Sequence, residues 1–411
     1  MKKNIMHSLL LAGFSAAAPF ASASYNGFDA RSTAMGGTGV ASAHFGAAPL
    51  VNPALLATSR SQDKISLIAP SLGAQVSDSA NLIDGFDDVN SAWDTLESAL
   101  GTGSEAEATG KLGDIVSGLS GENAYANVGL AMVLAVPDDS LPVALSVNSW
   151  AKGNARALIS QSDLAFLEGV ADGTIDPVQE DLDALTSRAE GMAALVTEYG
   201  VSIAHPFTMG DMPMGVGITP KIQRIETWNY NVAINNYDSS DLRDGNWQHQ
   251  TMSANIDAGF FASPIPGWMV ALSAQNLFEN RVKTREVNGY QPAFVIRPQV
   301  TVGTAWQTGA VTLGADIDLS PVSHFQYVDK NQYAAFGAEW RAADWVQLRA
   351  GYRLDMRGND RGVVTGGVGL SAGEAMQFDL TAIAGRDRTI GGVAQFTDLA
   401  PPFPDSFCIL S

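Results

Sequence analysis

The chain has 411 residues, a formal net charge of -19 and a single cysteine, Cys408. An acidic balance of that size argues against a nucleic-acid-binding surface, and a lone cysteine excludes an intrachain disulfide scaffold. Apolar residues make up 46% of the chain and charged residues only 16%, which suits either a soluble all-β protein or a closed transmembrane barrel.

The amino terminus reads as a cleaved signal peptide over residues 1–23. Lys2 and Lys3 precede a short apolar run, and Ala21-Ser22-Ala23 forms an Ala-x-Ala cleavage site. The apolar run is well short of the ~20 residues a membrane anchor needs. No later stretch is apolar for about 18 residues, so no transmembrane helix is expected.

Residues 24–62 come next and contain "MGGTGVASAHFGAAPLVNPALLA", almost all small residues. Gly36, Gly37 and Gly39 allow positive φ angles and close backbone approach. Asn52 followed by Pro53 is an N-cap and N1 pair that predicts a helical turn over 53–58. The segment reads as an internal plug or hatch (residues Arg31, Gly36, Gly37, Gly39, Asn52 and Pro53), the alternative being a strap along the periplasmic rim. Gly36-Gly37-Thr38-Gly39 has no preceding strand and no following Lys-Ser/Thr, so it is not a nucleotide loop.

From residue 63 to 397 the chain alternates with period two. In "VQLRAGYRLD", Val346, Leu348, Ala350, Tyr352 and Leu354 share one face, and Gln347, Arg349, Gly351, Arg353 and Asp355 share the other. That is the pattern of a barrel strand. Fourteen strands are predicted, near 64–77, 124–136, 141–160, 189–204, 212–229, 251–263 and 268–278, then 294–307, 310–320, 332–341, 345–355, 362–371, 375–385 and 389–397. Long connections at 78–123, 161–188, 230–250 and 279–293 alternate with short ones at 137–140, 205–211, 264–267 and 308–309. Outer-membrane barrels sort their connections in this way, and an even count places both ends on the periplasmic side. Residues 82–100 and 177–196 have helical spacing and acidic residues; they are expected to be amphipathic helices over the barrel mouth, or else an acidic recognition surface.

Charges recur on the predicted inner face: Lys221 and Asp257, then Arg297, Asp316 and Asp318, then Glu339 and Arg341, then Arg349, Arg353 and Asp355, and finally Asp379. Charges shielded from water need partners. These either pair across the lumen and with Arg31, or line a selective path. Phe396 closes the last predicted strand, and a proline-containing tail occupies 398–411.

The stretch "DARSTAMGGTGVASAHFGAAPLVNPALLA" resembles the amino-terminal signature of the FadL-type superfamily of outer-membrane barrels. With "GITPKIQRIETWNYNVAINNYD", "RPQVTVGTAW", "GADIDLS" and "VQLRAGYRLD", the chain is more closely similar to the TraF-like barrels of plasmid transfer operons. The resemblance covers nearly the whole mature chain. It implies a fourteen-stranded, all-β transmembrane barrel with an amino-terminal plug, embedded in outer-membrane lipid. It also implies passive, porin-like passage of small hydrophobic or amphipathic solutes, or alternatively a docking role in conjugation or export machinery. No His-Glu-x-x-His, Gly-x-Ser-x-Gly or paired cysteines occur, and His44, His205, His249 and His324 are scattered. The expectation is no enzyme, no metal, no cofactor and no nucleic-acid partner.

Overall fold

The computed structural model describes residues 28–78, 81–234, 247–326, 328, 330–358, 362–373, 376–385 and 389–398. The expected leader at 1–23, the tail beyond 398 and most of the predicted connection at 230–250 lie outside these residues.

Fourteen strands close into one antiparallel barrel. The first seven are β1 (Ser66–Asp78), β2 (Asn123–Val136), β3 (Val143–Leu158), β4 (Arg188–Met209), β5 (Met212–Ala233), β6 (Gln248–Ile265) and β7 (Trp268–Gln275). A separate hairpin follows, β8 (Asn280–Lys283) and β9 (Ala293–Ile296). The barrel resumes with β10 (Gln299–Thr308), β11 (Val311–Asp318), β12 (Tyr333–Ala343), β13 (Val346–Asp355), β14 (Val363–Ala372), β15 (Met376–Gly385) and β16 (Thr389–Asp398). Closure is through β1 and β16, with Leu72 opposite Ala394 and Gly73 opposite Val393. The barrel sheet has no open edge, so each of its fourteen strands pairs with a neighbour on both sides.

The alternation seen in the sequence sorts side chains by face. Leu72, Leu134, Leu145, Ile218, Leu313, Ile317, Leu348 and Leu380 are exposed on the outer wall, while Asp316, Arg349, Arg353 and Asp379 are buried inside. So large an apolar outer surface would drive aggregation in water and is stable only against lipid. Trp268, Trp306, Trp340, Trp345, Phe378 and Phe396 cluster outward next to the short turns. An aromatic girdle of this kind marks a membrane–water interface.

Four sequence expectations are corrected. The turn expected at 205–211 shrinks to Gly210 and Asp211, because β4 and β5 stay paired out to Met209 and Met212. β3 ends opposite Ile203, so Pro206 sits where its missing N–H costs no ladder bond on that side. The helix expected over 177–196 is helical only at Gln179–Asp183, and Arg188 already begins β4. From there Glu190, Met192, Ala194 and Val196 alternate into the barrel, and period two prevails.

The third correction concerns the loop helices, α3 (Leu82–Ala99), α4 (Glu105–Leu119) and α5 (Gln161–Ala171). (α1 and α2, nearer the amino terminus, are Ala30–Ala34 and Ala48–Val51.) They bury Phe86, Trp93, Leu96, Leu112 and Leu167 against Ala124, Ala157 and Ala189. Those alanines point outward, so the helices cover the outer wall at the loop end of β2–β4, not the mouth. β4 and β5 have 22 residues each, about twice what a tilted strand needs to span a bilayer. Their protruding ends require a cover, and small outward residues let helices lie flat on them.

Fourth, the strand expected over 294–307 breaks in two. Phe294 and Ile296 belong to β9, which folds into the lumen, and Arg297 falls in the break before β10 instead of on a barrel strand.

Candidate functional site: a plugged lumen

The segment before β1 threads the inside of the barrel. Asp29 caps α1 by accepting from Ser32 N at 2.8 Å and from Ser32 Oγ at 2.6 Å. The chain then turns through Gly36 and Gly37, whose φ angles are +79° and +96°. Asn52 accepts from Ala54 N at 3.1 Å and opens the 3-10 turn Pro53–Thr58, while its amide donates to Val40 O at 2.9 Å. Capping one turn while tying back an earlier one keeps the segment compact without a core of its own.

Strand side chains hold the segment from many directions. Gln395 accepts from Ala30 N at 3.0 Å, and Thr381 donates to Ala30 O at 2.7 Å. The Thr365 hydroxyl donates to Ala34 O and accepts from Gly36 N, both at 2.8 Å. Asp316 accepts from Gly39 N at 2.7 Å and Val40 N at 3.0 Å. On the far wall Ser273 donates to Val51 O at 2.7 Å. Asp316→Asn keeps the shape but removes the charge from these two bonds. Charge-assisted bonds contribute about 1.5–3 kcal/mol, so the variant should lower the unfolding midpoint and make residues 36–45 more sensitive to protease.

The wall makes room with glycine. Gly73 and Gly129 face each other across β1 and β2, and Gly217 and Gly259 across β5 and β6. Gly314, Gly337 and Gly351 form a continuous row across β11, β12 and β13. A Cβ at any of Gly73, Gly129, Gly217, Gly259, Gly337 or Gly351 would come closer than 3.0 Å to residues 28–54. The inner wall is therefore contoured to seat this segment, against plug backbone at Gly217, Gly337 and Gly351 and against the Phe28 and Asn52 side chains at Gly73, Gly129 and Gly259.

Two charge networks flank it. Arg31 makes a two-pronged contact with Glu339, Nε to Oε2 and Nη2 to Oε1, both 2.8 Å. Glu339 also accepts from Arg349 Nε at 2.7 Å, and the other end of Arg349 pairs with Asp379. Arg349 reaches Asp379 over Gly369, where a side chain would strike both groups. In the second network Lys221 Nζ lies 3.1 Å from Glu198 and 2.9 Å from Asp257. Gln223 and Asn148 donate to the same Glu198 carboxylate, and Asp257 also accepts from Asn276 N.

The remaining predicted lumen residues make other contacts. Asp318 accepts from Thr301 Oγ1 and Tyr333 N, and Asp355 from Gln332 N and Arg357 N. Arg297 donates to Ser323 O. Arg353 lies against the Tyr333 ring, and Arg341 borders a small cavity with Arg31 and Glu339.

Three cavities between segment and wall measure about 20, 40 and 40 Å³, each with room for no more than a few waters. Toward the loop end, Trp150, Met192, Ile225, Phe294, Ile296 and Phe325 pack together inside the barrel. Sequence reasoning missed both the inserted hairpin and the glycine seats. "PAFVIRP" is a continuous apolar run between prolines, the signal of a strand buried on both faces. The glycines fall at polar-face positions, where a side chain would otherwise be expected.

His44 offers a pH test. Its Nδ1 accepts from Gly46 N at 3.1 Å, which requires an unprotonated nitrogen there. Burial, and then the nearby Arg31 charge, push its pKa down to about 4. The unfolded chain takes up this proton near pH 6.5, so the stability contribution is complete above that pH and lost as pH falls toward 4. Unfolding midpoints should drop over that window, and His44→Asn, which keeps an acceptor but does not titrate, should remove this component of the drop.

A family model described as "F plasmid transfer operon, TraF, protein" matches residues 49–318. The chain belongs to this TraF family. Its fold is that of the FadL-type barrels. The Ralstonia pickettii toluene transporter TbuX superposes with a TM-score of 0.53 at 13% identity, over 92% of this chain and 99% of that one. A deltaS2S3 mutant of the TodX monoaromatic hydrocarbon channel gives 0.52 at 11% identity, over 90% and 99%. A Pseudomonas aeruginosa FadL homologue gives 0.50 at 10% identity, over 94% and 100%. No curated protein sequence matches the chain. Among the described residues of this TraF-family barrel no group of metal ligands occurs, and no helix is long and apolar enough to cross a membrane.

Proposed function

We propose that this TraF-family barrel sits in the outer membrane and lets small hydrophobic or amphipathic solutes diffuse past its amino-terminal plug, with Gly36, Gly37, Gly39, Asn52 and Pro53 forming the moving part. The observation that carries the reading is the apolar cluster inside the barrel. A barrel interior is ordinarily polar, yet Trp150, Met192, Ile225, Phe294 and Ile296 pack together inside this one above the plug. Such an apolar filling disfavours a water-filled pore and favours apolar cargo. The fold shared with proteins named as toluene and monoaromatic hydrocarbon channels supports the same class of solute.

The test is a pair of bilayer recordings. The intact mature chain should be silent, because the plug is bonded to the wall on several sides, and a chain lacking residues 36–52 should conduct steadily. Toluene influx into vesicles should rise with the same deletion. Continued silence of the deletion variant, refolded with normal heat-modifiable mobility, would count against transport.

A second reading, a docking component of conjugation or export machinery, is favoured by α3, which turns Asp84, Asp87, Asp88, Asp94 and Glu97 outward. Replacing those carboxylates with their amides should then impair plasmid transfer and leave conductance of the deletion variant unchanged.

A further inference from the structure

Three of the chain's twelve methionines, Met209, Met212 and Met214, fall within six residues at the tip of the β4–β5 hairpin. The two strands stay paired until only Gly210 and Asp211 remain as the turn, with Gly210 at a φ of +63°. Met209 is thereby directly opposite Met212, and Met214 is opposite Phe207. Residues two apart on a strand, and residues paired across it, share a face, so the three thioethers lie on one face of the hairpin. It is the outer face. Val216 and Ile218, which continue the row from Met214, are exposed, whereas a Cβ on Gly215 or Gly217 between them would meet Ala57 or Pro53 of the plug.

The tip stands clear of the strands beside it. β3 begins at Val143, opposite Ile203, and Ala204 N still donates to Pro142 O at 3.1 Å. Beyond Ala204 no described strand pairs with β4 on that side. On the other side the pairing of β5 with β6 reaches Met214, opposite Ala262. Met209 is 63% exposed, and Thr208, Gly210 and Asp211 around it are exposed too. Small and polar neighbours of this kind suit water, not lipid. Lower on the hairpin, His205 Nδ1 donates to Ser140 O at 2.8 Å and ties its base to the β2–β3 turn. No lysine or arginine occurs from His205 to Val216, so no fixed positive charge opposes a cation at the tip.

Directly opposed residues hold their Cβ atoms about 4.5–5.5 Å apart, and diagonal ones about 7–8 Å. Unbranched, flexible methionine side chains span such gaps. Met209 is opposed to Met212 and diagonal to Met214, so the three sulfurs can converge on one point beside the turn. A thioether is neutral, carries no proton to lose and is a soft donor. Soft sulfur ligands of this kind suit Cu(I), whereas Zn(II) is held by thiolate, imidazole or carboxylate and Mg(II) and Ca(II) by oxygen. Among the described residues no three histidine, cysteine, aspartate or glutamate side chains gather as metal ligands, so those harder ions have no comparable site. Packing alone does not call for methionine here, since leucine, valine and isoleucine fill other outer positions of the same strands and their neighbour, at Leu145, Val201 and Ile218. We propose that Met209, Met212 and Met214 form a Cu(I)-binding site at the tip of the β4–β5 hairpin, at the short-turn end of the barrel. The site goes beyond the transport reading, since it lies outside the lumen and binds whether or not solutes pass.

Ag(I), a soft monovalent ion stable in air, is the probe. The full mature chain carries Cys408→Ser, because a free thiol binds soft metals by itself. In detergent, with the methionine methyl carbons labelled, Ag(I) should shift the three hairpin methyl resonances together and saturate at one equivalent. Affinity should be the same at about pH 7.5 and about pH 5, since no thioether titrates, whereas a site built on histidine would weaken as the imidazole gains its proton. Met209→Leu and Met212→Leu conserve volume and should each weaken binding by about tenfold or more, at least the loss seen when a metal site's supporting groups are removed. Met252→Leu, an isolated outer-wall methionine, should change nothing. Cu(I) should displace Ag(I), and Zn(II) should not. Absence of saturable binding in the Cys408→Ser chain, affinity unchanged in Met209→Leu and Met212→Leu, loss of binding at the lower pH, or displacement by Zn(II) would each overturn the proposal. Because the measurement on the unvaried hairpin stands alone, misfolding of a leucine variant does not remove the test. A saturable site in a barrel whose plug deletion stays silent would uphold the Cu(I) site while removing the transport reading.

Discussion

Gly351→Ala is expected to unseat the plug. A Cβ at Gly351 would overlap the backbone of Met35 and Gly36, and the reciprocal approach is equally tight, since a Cβ at Gly36 would sit 2.8 Å from Phe336 O and 2.8 Å from Tyr352 O. Backbone lies on both sides, so no rotamer change relieves the clash. Overpacking of this kind costs about 1–3 kcal/mol or more per site, and the paired Gly337 offers a second site of the same kind. The barrel ladder itself tolerates alanine, so the cost should fall on the seating of residues 30–40. Protease should then cut the plug segment in the folded barrel, and bilayer currents should appear without any deletion. Gly366→Ala is the control: it lies opposite Ala350 and its nearest neighbour is Arg349 O at 3.7 Å, so it should behave as wild type. Equal protease resistance of Gly351→Ala and Gly366→Ala would contradict the seating.

The second large effect is expected at Glu339. Its carboxylate is the only acidic partner that Arg31 has among the described ion pairs, and it also holds one end of Arg349. Glu339→Gln leaves a largely buried guanidinium, 13% exposed, on the plug without its ion-pair partner. Removing one member of a fully buried pair costs about 3–5 kcal/mol, and the residual exposure of Arg31 puts the expected loss at or below the lower end of that range. Arg349 keeps Asp379, so the wall should suffer less than the plug. The unfolding midpoint in detergent should fall by several degrees. Adding Arg31→Met should recover part of the loss, since the double variant no longer strands the plug cation. No recovery in the double variant would show that Glu339 acts through Arg349 alone.

The barrel wall was legible in the sequence because a lipid-facing strand has one dominant pressure, alternation, and every strand obeys it. Asn52-Pro53 was legible because capping is local: the acceptor and the N–H it serves are two residues apart. Contacts spanning the barrel were not. Arg31 and Glu339 are 308 residues apart, and nothing local in either stretch specifies the partner. The glycine seats were hidden for a related reason. Gly337 and Gly351 read individually as small residues on a polar face, and become a seat only once Met35 and Gly36 are laid over them. The run at 294–307 misled because an apolar strand packed inside a lumen and one facing lipid have the same composition up to the point where Arg297 and Pro298 break the pairing. Of the helices at the loop end only α3 was visible in the sequence, and which wall they cover depends on Ala124, Ala157 and Ala189 pointing outward, a consequence of register.

A closed barrel with an apolar outer wall and a filled interior belongs in a membrane, and fractionation of cells producing the chain, followed by gel mobility with and without boiling, tests that placement. Recovery in the outer-membrane fraction and a folded band that shifts on boiling are expected. Recovery in the soluble periplasmic fraction, with mobility unaffected by boiling, would contradict it.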